Sequence, residues 1–329
     1  MLYDTTVHDA SFVKGRPPAE IHALLSWTRH RLGLHDATEW RLISARRKLG
    51  KILFEIEEDT PSGSRRLIGK FGSPERATRL YRALKLLRET GFAPPNRCTV
   101  PEPVAFVADR GFVLQEKVPG EHALPLLIGS HESIPAASAC ADWLRNLHYC
   151  RVPAETSAPN PRLISTWAAE LIAAEQSEST RIHKIAGAIL NQLNEPASEP
   201  FPSHGDFHPM NIFIAETGRI TGIDMDKFGL REPESDVGWF LMQTAGLGFF
   251  KKQSFDHTEK VRRGFLEHYQ EGVRRSIQPR RVALYMAMAF LKNLHFELVL
   301  LKTGRTDYAE PWLWAAASAI LEGNLHLSP

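Results

Sequence analysis

Two short polar segments in the second half of the chain restrict its fold and chemistry more than any other feature. The segment HGDFHPMN occupies positions 204–211, and the segment GIDMD follows after ten residues at 222–226. Pro202 and Pro209 oppose helix formation on the two sides of Asp206, so the sequence predicts an extended, bent loop there. Reactive side chains are commonly carried on such loops.

The stretch that joins the two segments predicts a β-hairpin. Apolar runs at 212–214 and 220–223 flank a turn at 216–218 that contains glycine. A hairpin returns the chain to its starting point, so Asp224 is expected to come close to Asn211.

The types and spacing of these polar side chains are those that phosphoryl transfer requires. The phosphates of ATP need Mg²⁺ held on oxygen ligands, and the accepting hydroxyl must be oriented and lose its proton. In protein kinases an Asp takes that proton, an Asn five residues later binds one metal ion, and a later Asp binds the metal ions at the β- and γ-phosphates. Asp206, Asn211 and Asp224 occur in that order and with that spacing.

The same residues are compatible with two different roles. Asp, Asn and Gly are frequent turn residues, so the segments could serve only the path of the chain. Alternatively, His204, Asp206 and His208 alternate along the sequence, and on a strand they would share one face as Zn²⁺ or Fe²⁺ ligands of a metallohydrolase. That arrangement leaves Asn211 without a role, and Pro209 disturbs the strand that it needs.

The runs HGDFHPMNIFI and GIDMDKFGLREPESDVGWFL resemble the aminoglycoside phosphotransferase and choline kinase-like family, whose members have a protein-kinase-like fold. Weaker similarity extends over nearly the whole chain, including a helix that ends in Leu147-His148. The resemblance implies a nucleotide-binding N-terminal lobe at 1–117, including the hinge, and a catalytic and acceptor-binding C-terminal lobe at 118–329.

Individual roles follow from the resemblance. Asp206 would be the catalytic base, and Asn211 and Asp224 the Mg²⁺ ligands. Lys70, in a strand-like run at 67–71, would contact the α- and β-phosphates. The segment 44–50 stands where the family has its nucleotide loop, and 112–120 is similar to the interlobe hinge. The hinge residues expected to contact the nucleotide are Gln115, Glu116 and Lys117.

Four further residues have supporting roles by the same resemblance. His204 would be structural, and Asp236 would brace the catalytic loop without reacting. His208 is assigned to loop packing. Asp226 has two interpretations: an acid beside the metal ligands that sometimes binds the metal, or a solvent-facing acid that helps to bind the acceptor.

The chain departs from the family pattern in the helix predicted after Lys70. The family usually has a glutamate near position 80 or 81 that pairs with the lysine, and the acids available here are Glu75 and Glu89. Either Glu75 pairs with Lys70, or the lysine is held otherwise, or another lysine binds the nucleotide. An inactive, nucleotide-binding regulator therefore stays an alternative to a kinase.

Hydrophobic patterning predicts an α+β fold with segregated lobes: a five-stranded N-terminal lobe with one inserted helix, then a mostly helical lobe. The expected N-terminal elements are a first helix at 17–32, strands at 40–44, 52–57 and 66–71, a second helix at 74–89, and strands at 104–108 and 112–117. The apolar stretch 282–301 contains charged residues and is predicted to be a buried helix, not a membrane span.

Bulk composition fits a globular enzyme acting on small molecules. The 329 residues exceed one ordinary core, and 43% are hydrophobic. A formal charge of +2, from 40 basic and 38 acidic residues, gives no reason to expect nucleic acid or an anionic membrane as partner. Three cysteines without a paired spacing indicate a reducing cytoplasm. The expected assembly is a monomer or a homodimer.

The sequence therefore predicts transfer of phosphate from ATP or GTP, with Mg²⁺, to a hydroxyl of a small molecule. Asp224 is not followed by Phe-Gly, and no full activation loop follows it, which argues against a protein kinase. An aminoglycoside would need acids, for which the candidates are Asp226, Glu232, Glu234, Asp256 and Glu259. A choline-like acceptor would need an aromatic cage, for which the candidates are Trp239, Phe240, Phe249, Phe250, Tyr269, Tyr285, Trp312 and Trp314. Sugars and other amino alcohols are also candidates.

Overall fold

The computed structural model describes residues 19–31, 40–48, 51–60, 63–128, 133–273, 275–304 and 306–327. They group into two compact units. The N-terminal unit contains the described residues up to Gly120 together with Ala215–Phe228, and the C-terminal unit contains Glu121–Ile214 and the residues from Gly229 onward. The functional division at 117 and 118 stays a prediction. The segment Ala215–Phe228, which the sequence assigned to the second lobe, groups with the first unit.

The N-terminal unit is built on an antiparallel sheet. Among its described residues the sheet has five strands in the order β1-β2-β3-β6-β5. A separate short parallel pair joins β4 to β10. The elements are α1 Ala19–Arg31, β1 Trp40–Lys48, β2 Lys51–Thr60, β3 Gly63–Phe71, α2 Pro74–Glu89, β4 Cys98–Thr99, β5 Pro103–Val107, β6 Phe112–Glu116 and β10 Ile220–Gly222.

Side chains alternate along a strand, so the two faces of this sheet carry different residues. One face carries an apolar core in which the rings of Phe54, Phe71 and Phe112 pack together. Gly69 lies beneath Phe54, where a Cβ atom would be 2.1 Å from the ring. Lys70, the next residue, therefore lies on the opposite face of β3, away from the phenylalanine core.

The predicted order of helices and strands in this unit is confirmed, but the first strand is longer than the sequence predicted. Residues 44–48, expected to begin the nucleotide loop, are part of β1 and pair with β2 as far as Lys48 opposite Lys51. Residues 49 and 50 lie outside the described part of the chain. The predicted end of the strand at 44 is wrong because cross-strand pairing extends both strands beyond their apolar runs. The assignment of 44–50 to the nucleotide loop stays a prediction.

The C-terminal unit is mostly helical, as predicted. It also has two short antiparallel strand pairs, β7 with β9 and β8 with β11. Its elements are β7 Glu121–His122, α3 Ala123–Ile128, α4 Ser133–Tyr149, α5 Pro161–Ala174, α6 Ser179–Leu193, β8 Phe201–Ser203, β9 Ile212–Ile214, β11 Gly229–Arg231, α7 Pro233–Lys252, α8 Glu259–Glu271, α9 Pro279–His295 and α10 Ala309–Glu322.

The apolar segment Pro279–Leu300 consists of α9 and a π-helical turn at Phe296–Leu300. Among the described residues it is the one helix long and apolar enough to cross a membrane, with a mean hydropathy of 1.3. Within the C-terminal unit 67% of it is buried, and α9 packs against α7 and α10. The predicted buried helix is confirmed, and its packing against α7 and α10 explains why it is so apolar.

Helices α7 and α9 approach each other closely at Gly238. A Cβ atom there would lie 2.7 Å from the carbonyl oxygen of Val282 and 2.8 Å from the amide nitrogen of Met286. Both neighbours are backbone atoms and cannot rotate away. Because Asp236 lies two residues earlier, this crossing also fixes the helix end that carries it.

We expect Gly238→Ala to destabilise the protein by ~1–3 kcal/mol, since the added methyl group forces the two backbones apart. Gly187→Ala is the matched control: Gly187 is inside α6, and a Cβ atom there meets nothing within 4 Å. That variant should gain ~0.5–1 kcal/mol from better helix propensity. Urea unfolding measures both. Equal effects of the two substitutions would contradict the close helix approach.

Candidate active site

Asp206 lies in an extended, bent loop, as the sequence predicted. The loop follows β8 and ends in a 3₁₀ turn at Pro209–Asn211. Gly205 has a φ of 76°, in the left-handed region that glycine adopts without strain. The chain therefore bends sharply immediately before Asp206.

The backbone of this loop is held by the buried carboxylate of Asp236 at the start of α7. Its Oδ2 accepts a hydrogen bond from the His204 amide at 2.7 Å, and its Oδ1 accepts one from the Gly205 amide at 2.9 Å. These are short, charge-assisted hydrogen bonds. Asp236 has the geometry of the brace that the resemblance implied.

Two more buried side chains continue this network. Nε2 of His148, in α4, lies 3.3 Å from Oδ2 of Asp236, and its Nδ1 lies 2.6 Å from the hydroxyl of Tyr269 in α8. The Leu-His pair at the end of the predicted helix was a signal for His148. Tyr269 was considered only as a possible ring of an acceptor cage, because it lies 121 residues from His148 in the chain. Three helices thus fix one loop.

Burial alone would raise the pKa of Asp236, because the charged carboxylate is removed from water. The hydrogen bond and charge of His148, the charge of His204 and the His204 amide outweigh burial, so the pKa lies below its ordinary value. The carboxylate therefore stays ionised and keeps its hold on the loop. Burial raises the pKa of the Tyr269 phenol, which keeps that group neutral.

Asn211 is nearly buried and oriented by its own loop. Its Nδ2 donates a hydrogen bond of 3.0 Å to the carbonyl oxygen of Asp206. With the amide nitrogen engaged in this way, Oδ1 is the side-chain atom left to face a cation. An amide oxygen is a suitable ligand for Mg²⁺. The Oδ1 atom of Asn211 is therefore suited to the predicted role of Mg²⁺ ligand.

Lys70 and Asp224 lie together in the N-terminal unit. The Lys70 ammonium forms an ion pair with Oδ1 of Asp224, whose side chain is 43% exposed. Asp224 itself has a left-handed backbone conformation, with a φ of 61° and a ψ of 45°. Such strain in a residue other than glycine is frequent at functional sites. Lys70 is thus held by Asp224, which settles how it pairs in the absence of a glutamate at position 80 or 81.

Glu75 does not take the place of the missing glutamate. It is exposed in the first turn of α2, where the pKa of its carboxyl is lowered by hydrogen bonds from its own backbone amide and from Ser73. Ser73 is the N-cap of the same helix, because its hydroxyl accepts from the Arg76 amide. Glu75 therefore belongs to the first turn of α2 beside the Ser73 cap, and Lys70 pairs with Asp224, so the option that Glu75 pairs with Lys70 is wrong.

Asp226 is buried, so its interpretation as a solvent-facing acid is wrong. Its side chain is 7% exposed and forms an ion pair with Arg76 of α2. The local signal of this contact is that α2 carries the basic residue Arg76 and has no glutamate at position 80 or 81. Asp226 remains an acid beside a predicted metal ligand, which was the other interpretation.

The predicted hinge residues are partly engaged inside the N-terminal unit. The amide of Glu116 donates to the Glu102 carbonyl, and that of Lys117 donates to the Arg66 carbonyl. Gln115 is buried, pairs with Ile68 across the sheet, and has no hydrogen-bond partner at Oε1 among the described residues. Directly opposed residues share a face, and so do residues two apart on one strand. Gln115 therefore lies on the same face as Ile68 and Lys70. Its Oε1 atom is enclosed by protein atoms, so the predicted contact of Gln115 with the nucleotide stays a prediction.

The metallohydrolase alternative is contradicted by the structure. The described residues contain no group of three or more His, Cys, Asp and Glu side chains that could hold a metal ion. The His204 ring is buried and makes edge contacts with Trp143 and Phe207. His204 is therefore a packing residue, as the kinase-like interpretation had it.

The acids considered for an aminoglycoside acceptor are largely used by the fold. Glu232 accepts two hydrogen bonds from the guanidinium of Arg281, and both side chains are buried. Glu234 accepts from the Ser198 hydroxyl at 3.2 Å and from the Gln278 amide at 3.0 Å. With Asp226 bound to Arg76, three of the five candidate acids are internal.

The rings considered for a choline cage are mostly core residues. The buried ones are Phe240, Phe249, Tyr269, Tyr285 and Trp312. Trp239 is half-buried, and the ammonium of Lys292 already lies 4.3 Å from its ring centre. The described rings therefore do not present an open cage built from this set.

The sequence profile of the phosphotransferase enzyme family matches residues 56–285, which is more than half of the chain. The chain belongs to the phosphotransferase enzyme family. Its fold is protein-kinase-like, with a five-stranded antiparallel sheet in the N-terminal part and a mostly helical C-terminal part, as predicted. No match was found among curated proteins.

Solved structures of low sequence identity share this fold. An aminoglycoside-3'-phosphotransferase of type VIII is 19% identical, with a TM-score of 0.57 over 82% of this chain and 98% of its own. A choline kinase from Streptococcus pneumoniae is 14% identical, with a TM-score of 0.58 over 92% and 100%. An amicoumacin kinase in complex with AMP-PNP and Ca²⁺ is 12% identical, with a TM-score of 0.62 over 94% and 98%.

We expect Asp236→Asn to lower the free energy of unfolding by about 1–3 kcal/mol at neutral pH, because an amide cannot accept every hydrogen bond that the carboxylate accepts. The folded-state pKa of Asp236 lies below its unfolded value of about 3.9. Its contribution is therefore complete above that value and is lost as the pH falls through the folded-state pKa.

Urea unfolding of both proteins from about pH 3 to 7 measures this effect. The difference between wild type and variant should be constant above about pH 5 and shrink below about pH 4. A difference that stays constant down to pH 3 would contradict the role of an ionised carboxylate in holding the loop.

Proposed function

We propose that this phosphotransferase transfers the γ-phosphate of ATP or GTP to a hydroxyl group of a small molecule, with Mg²⁺ as the metal ion. The observation that carries the proposal is the loop held by Asp236, which fixes Asp206 and orients Asn211 within one rigid segment. The ion pair between Lys70 and Asp224 supplies a cation and a carboxylate of the types that nucleotide phosphates and Mg²⁺ require.

Each residue has one task in this reaction. Asp206 accepts the proton of the acceptor hydroxyl and orients its oxygen for attack. Lys70 binds the α- and β-phosphates. Oδ1 of Asn211 and the carboxylate of Asp224 are the oxygen ligands for Mg²⁺. When bound, Mg²⁺ neutralises charge on the β- and γ-phosphates.

Nucleotide binding is assigned to the face of the N-terminal sheet that carries Lys70 and Gln115. Gln115, which lies on the same face as Lys70, would contribute to the site of the base. The amides of Glu116 and Lys117 already have partners, so these two residues would contribute through their carbonyl groups. Structures with the same fold contain AMP-PNP with Ca²⁺ and ADP with spectinomycin, which supports a nucleotide and a divalent ion.

The acceptor is proposed to be an aminoglycoside, an amino alcohol or a sugar. Proteins of the same fold are described as an aminoglycoside phosphotransferase, a choline kinase and a spectinomycin phosphotransferase. We place the reaction in the cytoplasm, where ATP and Mg²⁺ are abundant; within the described residues Cys98, Cys140 and Cys150 form no disulfide bond. A monomer or a homodimer acting without nucleic acid or a membrane is the proposed state.

The first experiment is thermal unfolding with ATP or GTP, each with and without Mg²⁺. We expect stabilisation by one or both nucleotides that is larger with Mg²⁺, since Asp224 and Asn211 bind nucleotide through the metal ion. ADP release is then screened across aminoglycosides, amino alcohols, macrolides and sugars. Nucleotide binding without any acceptor-dependent ADP release would favour the inactive regulator. No nucleotide effect at all would contradict the proposal.

Asp206→Asn should reduce acceptor-dependent ADP release by about 10²–10⁴-fold, because the amide cannot accept the hydroxyl proton. Stabilisation by ATP and Mg²⁺ should stay as in the wild type, since Asp206 is not assigned to the nucleotide. The control is Asp109→Asn, a substitution at an exposed turn of the N-terminal unit. Wild-type turnover in Asp206→Asn would overturn the assignment of the base.

A further inference from the structure

The first turns of α2 are attached to the segment that carries Asp224. The guanidinium of Arg76 forms an ion pair with the Asp226 carboxylate, and Nε of Arg79 donates a hydrogen bond of 3.2 Å to the Asp226 carbonyl oxygen. Helix α2 also packs against the 3₁₀ turn Met225–Lys227. Side chain and backbone of one residue are thus both bound to the same helix.

Asp226 cannot exchange this partner easily. Its side chain is 7% exposed, whereas that of Arg76 is 34% exposed. A carboxylate at such a depth is stable only when it is paired, because losing the partner leaves an uncompensated charge away from water. Removing Arg76 is therefore expected to cost more than removing one member of an exposed ion pair.

The backbone conformation of Asp224 makes this attachment relevant to the predicted metal site. Asp224 is strained in the left-handed region and leads directly into the turn Met225–Lys227. Strain of this kind persists only where surrounding contacts hold it. The contacts on one side are Ile220 and Thr221 of β10, paired with β4. On the other side they are the bonds from Arg76 and Arg79.

We propose that Arg76 and Arg79 are positioning residues that hold Asp224 ready to bind the metal ion. In protein kinases a helix of the small lobe acts on the nucleotide site through a glutamate that pairs with the lysine. In this chain the helix acts on the acidic segment instead, and Lys70 pairs with Asp224 directly. This inference rests on the proposed function of Asp224 as a ligand of Mg²⁺.

The test is the affinity for ATP in Mg²⁺ compared with the affinity in EDTA. In Arg76→Gln the gain in affinity from Mg²⁺ should fall by about tenfold, the usual effect of losing a group that orients a metal ligand. Affinity in EDTA should stay within about twofold, because Lys70 is untouched. Arg76→Lys keeps the charge and should restore most of the gain. Arg82→Gln, at an exposed site in the same helix, is the matched control and should behave as the wild type.

The outcomes separate this inference from the proposed function. A wild-type gain from Mg²⁺ in Arg76→Gln, with only a lower unfolding temperature, would show a structural ion pair and overturn the inference alone. No gain from Mg²⁺ in the wild type would overturn the proposed metal role as well. If Arg76→Gln does not fold, Asp226→Asn provides the same comparison, since it removes the buried charge and leaves the more exposed Arg76. The expected result is the same tenfold loss.

Discussion

The carboxylate of Asp236 is the interaction on which the catalytic segment depends. It accepts hydrogen bonds from two consecutive amides of the loop, and it is itself held by His148, which contacts Tyr269. A buried charge is tolerable only when donors surround it. That requirement explains why α4, α7 and α8 meet at this point. Gly238 lets α7 pack closely against α9, which holds the end of α7 that carries Asp236. The same contacts that satisfy Asp236 leave the loop little freedom.

The two acids of the segment at 222–226 show how environment separates similar residues. Asp224 is 43% exposed and forms an ion pair with Lys70, whereas Asp226 is 7% exposed and forms an ion pair with Arg76. In the proposed reaction the more exposed acid, Asp224, exchanges Lys70 for phosphates and a metal ion, because water and ligand replace the lost contact. The buried acid has no such replacement. We therefore propose the metal-binding role for Asp224, whereas Asp226 attaches the segment to helix α2.

Sequence reasoning predicted what depends on neighbouring residues. The prolines around Asp206 determine the bent loop, and the apolar run at 67–71 predicted the strand that carries Lys70. It failed where distant parts of the chain decide the outcome. Pairing with β2 extends β1 beyond the predicted end at 44, as far as Lys48. The burial of Asp226 depends on a helix about 150 residues earlier, and the role of Tyr269 depends on packing of α8 against α4. Contacts between residues far apart in the chain cannot be predicted from the pattern of neighbouring residues.

The acceptor cannot be inferred from the fold, because proteins of this fold that are 12–19% identical to the chain have different acceptors. The side chains of the chain itself are more informative. A polycationic acceptor is selected by acids that are free to meet it, yet Asp226, Glu232 and Glu234 are each neutralised or hydrogen-bonded inside the protein. Moving any of them toward a ligand would break an ion pair or a hydrogen bond that the fold uses. An acceptor with few charges needs no such rearrangement, so amino alcohols and sugars agree better with these contacts than an aminoglycoside does.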